Sequence, residues 1–180
     1  MSRVNSNVTG LVSPTTFRTN WENLRKPNKI VLSGLYYKYS EFKPNAPNNT
    51  ITITNGKLYD KFINVVWQNP YNEKQVFAMT SPIIKFNKLA MQVQLPSSLW
   101  YTNQASTVQS ITIDFSDGLG YQTTTFGQII NVNYTSPGLK KLKYKLTLTN
   151  GQVLYSHSKI FIDANVTVVR KSFANRFNQQ

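Results

Sequence analysis

Residues 140–145 contain four lysines, and three of them are spaced like residues on one face of a strand. Lys141, Lys143 and Lys145 alternate with apolar residues, and alternate residues of a strand point to the same side, about 6.6–6.8 Å apart. Lys140 adds a fourth charge at the turn before them. Such a row attracts anionic polymers, but it also serves for solubility or for protection of a sheet edge. The sequence therefore predicts an anion-binding face, with an ordinary solvated face as the alternative.

Two carboxylates, Asp114 and Asp117, flank a turn that ends in Gly118. Carboxylates beside such a turn usually accept hydrogen bonds from nearby backbone N–H groups. Carboxylates and loop carbonyls also suit a hard cation such as Ca²⁺. The pattern favours turn formation, with a Ca²⁺ site as the second alternative and an acid–base pair as the third. No other cofactor is predicted.

The sequence contains few residues of the types that usually perform catalysis. His157 is the only histidine, and the sequence contains no cysteine. A nucleophile–histidine system would have to use His157, but its neighbours Ser156 and Ser158 point to the opposite face of a strand. The sequence contains no phosphate-binding loop, no dinucleotide motif and no His/Cys ligand cluster. It therefore predicts a protein that is not an enzyme.

The elements that position these residues are strands. In residues 111–115 apolar side chains alternate with polar ones, and residues 142–148 repeat the pattern with leucine and tyrosine against lysine and threonine. A period of two predicts strands with one buried face. We therefore expect these two strands to face a common core.

The second strand runs into Asn150-Gly151, which predicts a hairpin with a two-residue turn. That register places Val153 on the core face. It also turns Lys159 inward and Ile160 outward, which is costly because a buried lysine loses its hydration. An irregularity that reverses the phase is therefore expected within residues 156–159.

The order of these motifs resembles a known family. Ile113-Asp114-Phe115-Ser116-Asp117-Gly118 is followed by Val132-Asn133-Tyr134, by Ser136-Pro137-Gly138 and by the strand at 142–148. This order is similar to that of PKD-like domains, and to regions of secreted Bacteroidota proteins. The resemblance covers residues 105–163. It implies an immunoglobulin-like β-sandwich that acts as a spacer or binding module of a secreted or cell-surface protein.

Residues 30–96 carry a second set of strand signals. Short apolar runs between Asn-Pro, Ser-Pro and Asn-Gly pairs predict several short strands, including one strand at Phe62–Trp67 and a hairpin at Asn55-Gly56. A polar, turn-rich stretch then marks the start of the PKD-like sandwich, 97–163. The predicted fold class is all-β. Whether 30–96 is a separate small β-domain or a further sheet stays open.

Both ends of the chain are basic, and each carries two aromatic residues four positions apart. The pairs are Phe17 with Trp21 and Phe173 with Phe177. In the N-terminal arm, 1–29, the first pair predicts a short helix capped by Thr15 or Thr16. Such a helix packs on its own domain or docks on a partner. The hypothesis is that this arm and the C-terminal tail, 164–180, are contact arms.

The net charge is +13, from 20 Lys and Arg against 7 Asp and Glu. Residues 89–139 contain no Lys or Arg, so the basic charge lies before and after this stretch. Nucleic acid, acidic polysaccharide, lipid headgroups and acidic protein surfaces are candidate partners. No run of about 18 apolar residues occurs, so no membrane span is predicted.

Two functions from different classes remain. The first is a non-catalytic structural or binding module of a secreted or cell-surface protein, in contact with protein or glycan, which the PKD-like resemblance favours. The second is a structural subunit of a virion or phage-like particle, such as a capsid, decoration or tail protein. The basic ends with their aromatic pairs, and the lack of an apolar leader after Met1, favour this second function.

Overall fold

The computed structural model describes residues 13–164, and strands dominate it. The all-β prediction is therefore confirmed. The first half contains α1 (Pro14–Leu24), β1 (Lys29–Val31), β2 (Ser33–Phe42), α2 (Ala46–Asn49), β3 (Ile51–Thr54), β4 (Lys57–Asp60), β5 (Phe62–Ile63), β6 (Val66–Trp67), β7 (Tyr71–Thr80), β8 (Lys85–Phe86) and β9 (Ala90–Gln94). The second half contains β10 (Trp100–Thr102), β11 (Val108–Asp114), β12 (Tyr121–Thr124), β13 (Ile129–Asn133), β14 (Gly138–Leu148) and β15 (Val153–Ile162), with single 3₁₀ turns at Ser97–Leu99 and Ala105–Thr107.

Two sheets enclose the core. One has the order β12-β11-β14-β15-β8 and the other the order β1-β9-β13. Alternating apolar residues of β11 and β14 point inward, as their period predicts, and meet those of β9 and β13. The buried aromatic Tyr144 lies in this core, with its hydroxyl 2.7 Å from Ser158 Oγ. Burial raises the pKa of Tyr144 to about 12, so the hydroxyl stays neutral.

The expected boundary between residues 96 and 97 is crossed by both sheets. β8 pairs with β15 in parallel, and β9 pairs with β13. Leu32 and Tyr36, from before the boundary, share one hydrophobic core with residues from after it. These contacts favour the alternative in which residues 30–96 form a further sheet of the same domain, and not a separate domain.

A long two-stranded ribbon leaves this core. β2 and β7 pair over ten residues, with β10 alongside the inner end of β2. Beyond the ribbon's outer end lie α2 and two isolated hairpins, β3–β4 and β5–β6. The first hairpin turns at Asn55-Gly56, as predicted. The single strand predicted at Phe62–Trp67 is wrong, because Asn64 and Val65 take positive φ angles of 47° and 61° and reverse the chain.

The hairpin of β14 and β15 corrects the expected register. Its pairing runs without interruption from Thr147 opposite Val153 to Gly138 opposite Ile162, so the irregularity expected within 156–159 is wrong. The loop has three residues, 149–151: Leu148 N–H donates to the Gln152 carbonyl (2.8 Å), and Gly151 has φ +83°. A type I turn followed by a left-handed residue shifts the register by one position relative to a two-residue turn. Ile160 and Ile162 therefore point inward and Val153 outward.

The predicted N-terminal helix is present as α1, but its cap is Ser13 and not Thr15 or Thr16. Ser13 Oγ accepts a hydrogen bond from the Thr16 N–H (3.1 Å). Pro14 occupies the first turn, where its missing N–H has no cost. No residue of α1 is fully buried, and Asn20 Nδ2 donates to the Ser98 carbonyl at 3.4 Å. The helix thus rests against the body of the domain with only its aromatic side partly covered.

Candidate functional site

The outward face of the five-stranded sheet presents the predicted lysine row. Lys141, Lys143 and Lys145 lie on this face of β14, while the residues between them are buried. Lys140 is set apart from the row, and its Nζ lies 4.9 Å from the ring centroid of Tyr134. The structure therefore brings three of the four predicted lysines together.

Strand β15 adds residues that the expected register had placed on the other face. Lys159 lies opposite Lys141, His157 opposite Lys143, and Tyr155 opposite Lys145. Tyr121 of β12 completes the group on the far side of β11. We call this group the lysine face. Its residues are Tyr121, Lys141, Lys143, Lys145, Tyr155, His157 and Lys159.

Two of these lysines are engaged and two are not. Lys143 Nζ forms an ion pair with Asp114 Oδ2 at 2.9 Å, and Lys145 Nζ lies 5.3 Å from the ring centroid of Tyr121. Lys141 and Lys159 form no ion pair with a carboxylate within residues 13–164. Like charges directly opposite in neighbouring strands are destabilising. The end of the face formed by Lys141 and Lys159 therefore holds uncompensated positive charge.

The two turn carboxylates accept hydrogen bonds from the protein itself. Asp114 Oδ1 accepts from the Ser116 N–H (2.8 Å), and Asp117 Oδ1 accepts from the Leu119 N–H (3.1 Å). Asp117 Oδ2 also accepts from Gln122 Nε2 at 3.3 Å. Among the described residues no three His, Cys, Asp or Glu side chains form a group able to hold a metal ion. A Ca²⁺ ion would have to displace Lys143, so the contacts favour turn formation.

The pKa of Asp114 provides a test of its pairing with Lys143. A hydrogen bond from Lys143 holds this pKa below the usual value, the Ser116 N–H adds to the effect, and burial opposes it. Because the folded-state pKa is depressed, the stabilisation is present above the unfolded-state value of about 3.9 and is lost as pH falls through the folded-state pKa. We expect Lys143→Met to raise the Asp114 pKa in an NMR titration. Lys141→Met, which removes the same charge without that contact, should change it much less, and equal shifts would contradict the pairing.

The aromatic pair of α1 lines a groove against the sheet β10-β2-β7. Phe17 and Trp21 face Leu35, Met79 and Tyr101 across a groove of about 760 Å³. Both helix residues are half-buried, so this aromatic side lies toward the domain itself. The other predicted pair, Phe173 and Phe177, lies outside the described residues.

The outer ribbon and its two hairpins expose apolar surface that the sequence analysis did not identify as a site. We call residues 38–75 the ribbon extension. Only Ala46, Ile51 and Pro70 are buried among its described residues. It holds eleven of the 21 large apolar side chains that are exposed within residues 13–164. They are Tyr39, Phe42, Ile53, Leu58, Tyr59, Phe62, Ile63, Val65, Val66, Trp67 and Tyr71.

The tip of hairpin β5–β6 is also strained. Val65 is 95% exposed and has φ +61°. A β-branched residue in the left-handed region is a conformational outlier, and such strain is concentrated at functional sites. An asparagine or glycine would take the same φ angle more easily. The turn therefore presents an apolar side chain where a polar one would be more stable.

No family model matches the sequence, and no curated protein matches it either. Within residues 13–164, no helix is long and apolar enough to cross a membrane.

Proposed function

We propose that this chain is a non-catalytic structural module that makes protein contacts through the ribbon extension. The observation that carries the proposal is the apolar surface of residues 38–75. Isolated two-stranded hairpins are marginally stable in water, and monomeric proteins rarely expose large contiguous apolar patches. A protein surface that covers these side chains would stabilise both hairpins. Another copy of the chain is the partner we propose first.

Charge within the extension supports protein as the partner. Glu41 and Lys74 form an ion pair at 3.3 Å across the ribbon, and Phe42 stacks on Tyr71 with 5.0 Å between ring centroids. Charged and apolar side chains are thus interspersed along the ribbon. Protein interfaces likewise combine apolar and aromatic anchors with polar and charged residues.

The proposal has two biological settings. A PKD-like module of a secreted or cell-surface protein is the first, and the resemblance of residues 105–163 supports it. A structural subunit of a virion or phage-like particle is the second, and the exposed apolar side chains of the ribbon extension, which further copies of the chain would cover, support it. The two differ in assembly, because only a particle subunit must form large complexes of itself.

Sedimentation velocity over a range of protein concentrations tests the contact. We expect the wild-type chain to self-associate and Phe62→Ser/Val65→Asn to weaken self-association by about tenfold or more, because central apolar anchors dominate interface energies. The matched control is Ile84→Ser/Leu119→Ser, which removes two apolar side chains of similar average exposure outside the extension. A wild-type chain that stays monomeric at all concentrations would contradict self-contact, and equal effects of both double variants would show non-specific apolar association.

A further inference from the structure

The lysine face carries a second binding site, independent of the ribbon extension. We propose that it binds an acidic polysaccharide, a sugar chain that carries carboxylate or sulfate groups. The charge, the shape and the aromatic and hydroxyl groups of this face favour such a ligand.

The positive charge of the lysine face favours an anionic ligand. Lys141 and Lys159 lie directly opposite each other on adjacent strands, with His157 and Lys143 as the next pair along the ladder. Asp114 is engaged with Lys143, and within residues 13–164 no carboxylate forms an ion pair with Lys141 or Lys159. An anion placed between Lys141 and Lys159 would replace a repulsive pair by two charge-assisted hydrogen bonds.

The shape of the lysine face favours a polymer over a free small molecule. A shallow depression of about 190 Å³ is lined by Tyr121, Lys141, Lys143, Tyr155 and His157, together with the adjoining Ser156. Pockets that enclose drug-sized ligands usually measure about 300–1,000 Å³. A depression of this size on an open sheet fits one charged ring of a polymer that continues across the surface.

The aromatic groups favour sugar over single-stranded nucleic acid. Tyr155 is the more open ring at 67% exposed, whereas Tyr121 is 42% exposed and has the Lys145 ammonium 5.3 Å from its ring centroid. Single-stranded nucleic acids are generally bound by several aromatic rings on which successive bases stack. One open ring is enough for the apolar side of a sugar. Among the described residues the face also carries no arginine, the residue best suited to bidentate contacts with phosphates.

Hydroxyl groups lie beside the lysines. Thr112 of β11 pairs with Lys145 on one side and with Thr123 on the other. Thr112 Oγ1 is buried and has no hydrogen-bond partner. Because Lys145 reaches across β11 toward Tyr121, an anion that draws Lys145 away would uncover this hydroxyl. A ligand rich in hydroxyl groups can then satisfy it.

Binding of defined polymers to the full chain tests the proposal. The probes are heparin oligosaccharides as the sulfated chain, oligogalacturonate as the carboxylated chain, neutral dextran and single-stranded oligothymidylate. We expect one of the acidic polysaccharides to bind more tightly than oligothymidylate at equal ionic strength, and dextran not to bind. Lys141→Gln/Lys159→Gln should weaken polysaccharide binding by about tenfold, because two charge-assisted contacts are lost. Tyr155→Ala should weaken it as well.

The matched control is Lys26→Gln/Lys88→Gln, which removes the same net charge from exposed lysines outside both the lysine face and the ribbon extension. The thermal midpoint of Lys141→Gln/Lys159→Gln should be equal to or higher than that of the wild type, because a repulsive pair is removed. A lost affinity would then not reflect unfolding. Equal weakening by both double variants would overturn the proposal in favour of general charge attraction. Tighter binding of oligothymidylate that depends on Tyr155 would overturn it in favour of nucleic acid.

Discussion

Leu32→Ala and Leu146→Ala are each expected to lower the free energy of unfolding by about 2–5 kcal/mol, the usual cost of truncating a fully buried leucine. Both side chains are inaccessible to solvent and belong to one hydrophobic core, although they lie on opposite sides of residue 96. The Leu32 N–H also donates to the Gln94 carbonyl at 2.8 Å, which fixes it beside β9. Both substitutions should therefore shift the same single unfolding transition toward lower stability.

Urea denaturation followed by tryptophan fluorescence and by far-UV circular dichroism measures this effect. Coincident transitions by the two probes indicate a single cooperative unit. Leu119→Ala is the control, because Leu119 is 72% exposed and its truncation should change stability by less than about 0.5 kcal/mol. If Leu32→Ala moved one transition and Leu146→Ala another, residues 30–96 would be a separate domain.

Gly34→Ala is expected to destabilise the chain by about 1–3 kcal/mol, through overpacking. A Cβ atom at this position would lie 2.7 Å from Met79 Cγ and 2.7 Å from Trp100 Cζ3. The Trp100 ring has little room to move, because it packs against Phe77 and Phe126 with centroid distances of 6.4 and 5.8 Å. Glycine is therefore required where β10 and β7 both approach β2.

The control for this substitution is Ser40→Ala, at an exposed position of the same strand. It should leave the denaturation midpoint nearly unchanged. A Gly34→Ala chain as stable as the Ser40→Ala chain would show that Met79 and Trp100 give way without cost. The close approach of the three strands would then not depend on glycine.

The two proposed surfaces share a physical feature, a local arrangement that lowers stability. Val65 takes a strained φ angle at the tip of the ribbon extension, and Lys141 repels Lys159 on the lysine face. Substitutions that remove such features often stabilise a protein at the expense of its function. A gain in stability together with a loss of binding is therefore the signature we expect at both surfaces.

The local structure of several elements follows from sequence patterns alone. The alternation in residues 142–148 placed the three lysines outward, because the side-chain period of a strand is a property of its backbone. Asn55-Gly56 determined the turn of β3–β4, since both residues tolerate positive φ. Asp114 and Asp117 were expected to bond to nearby N–H groups, and both do so within two residues.

The pairing partners of these elements depend instead on contacts between residues far apart in the chain. A loop of three residues at 149–151 shifted β15 by one position, which moved Tyr155, His157 and Lys159 onto the lysine face. The sequence pattern Asn-Gly is compatible with both loop lengths, and only the burial of Ile160 and Ile162 on the core side selects between them. The exposure of the ribbon extension could not be predicted from the sequence either, because its strands contain an ordinary proportion of apolar residues. Which apolar side chains are buried depends on what packs against them, and that depends on pairings between residues far apart in the chain.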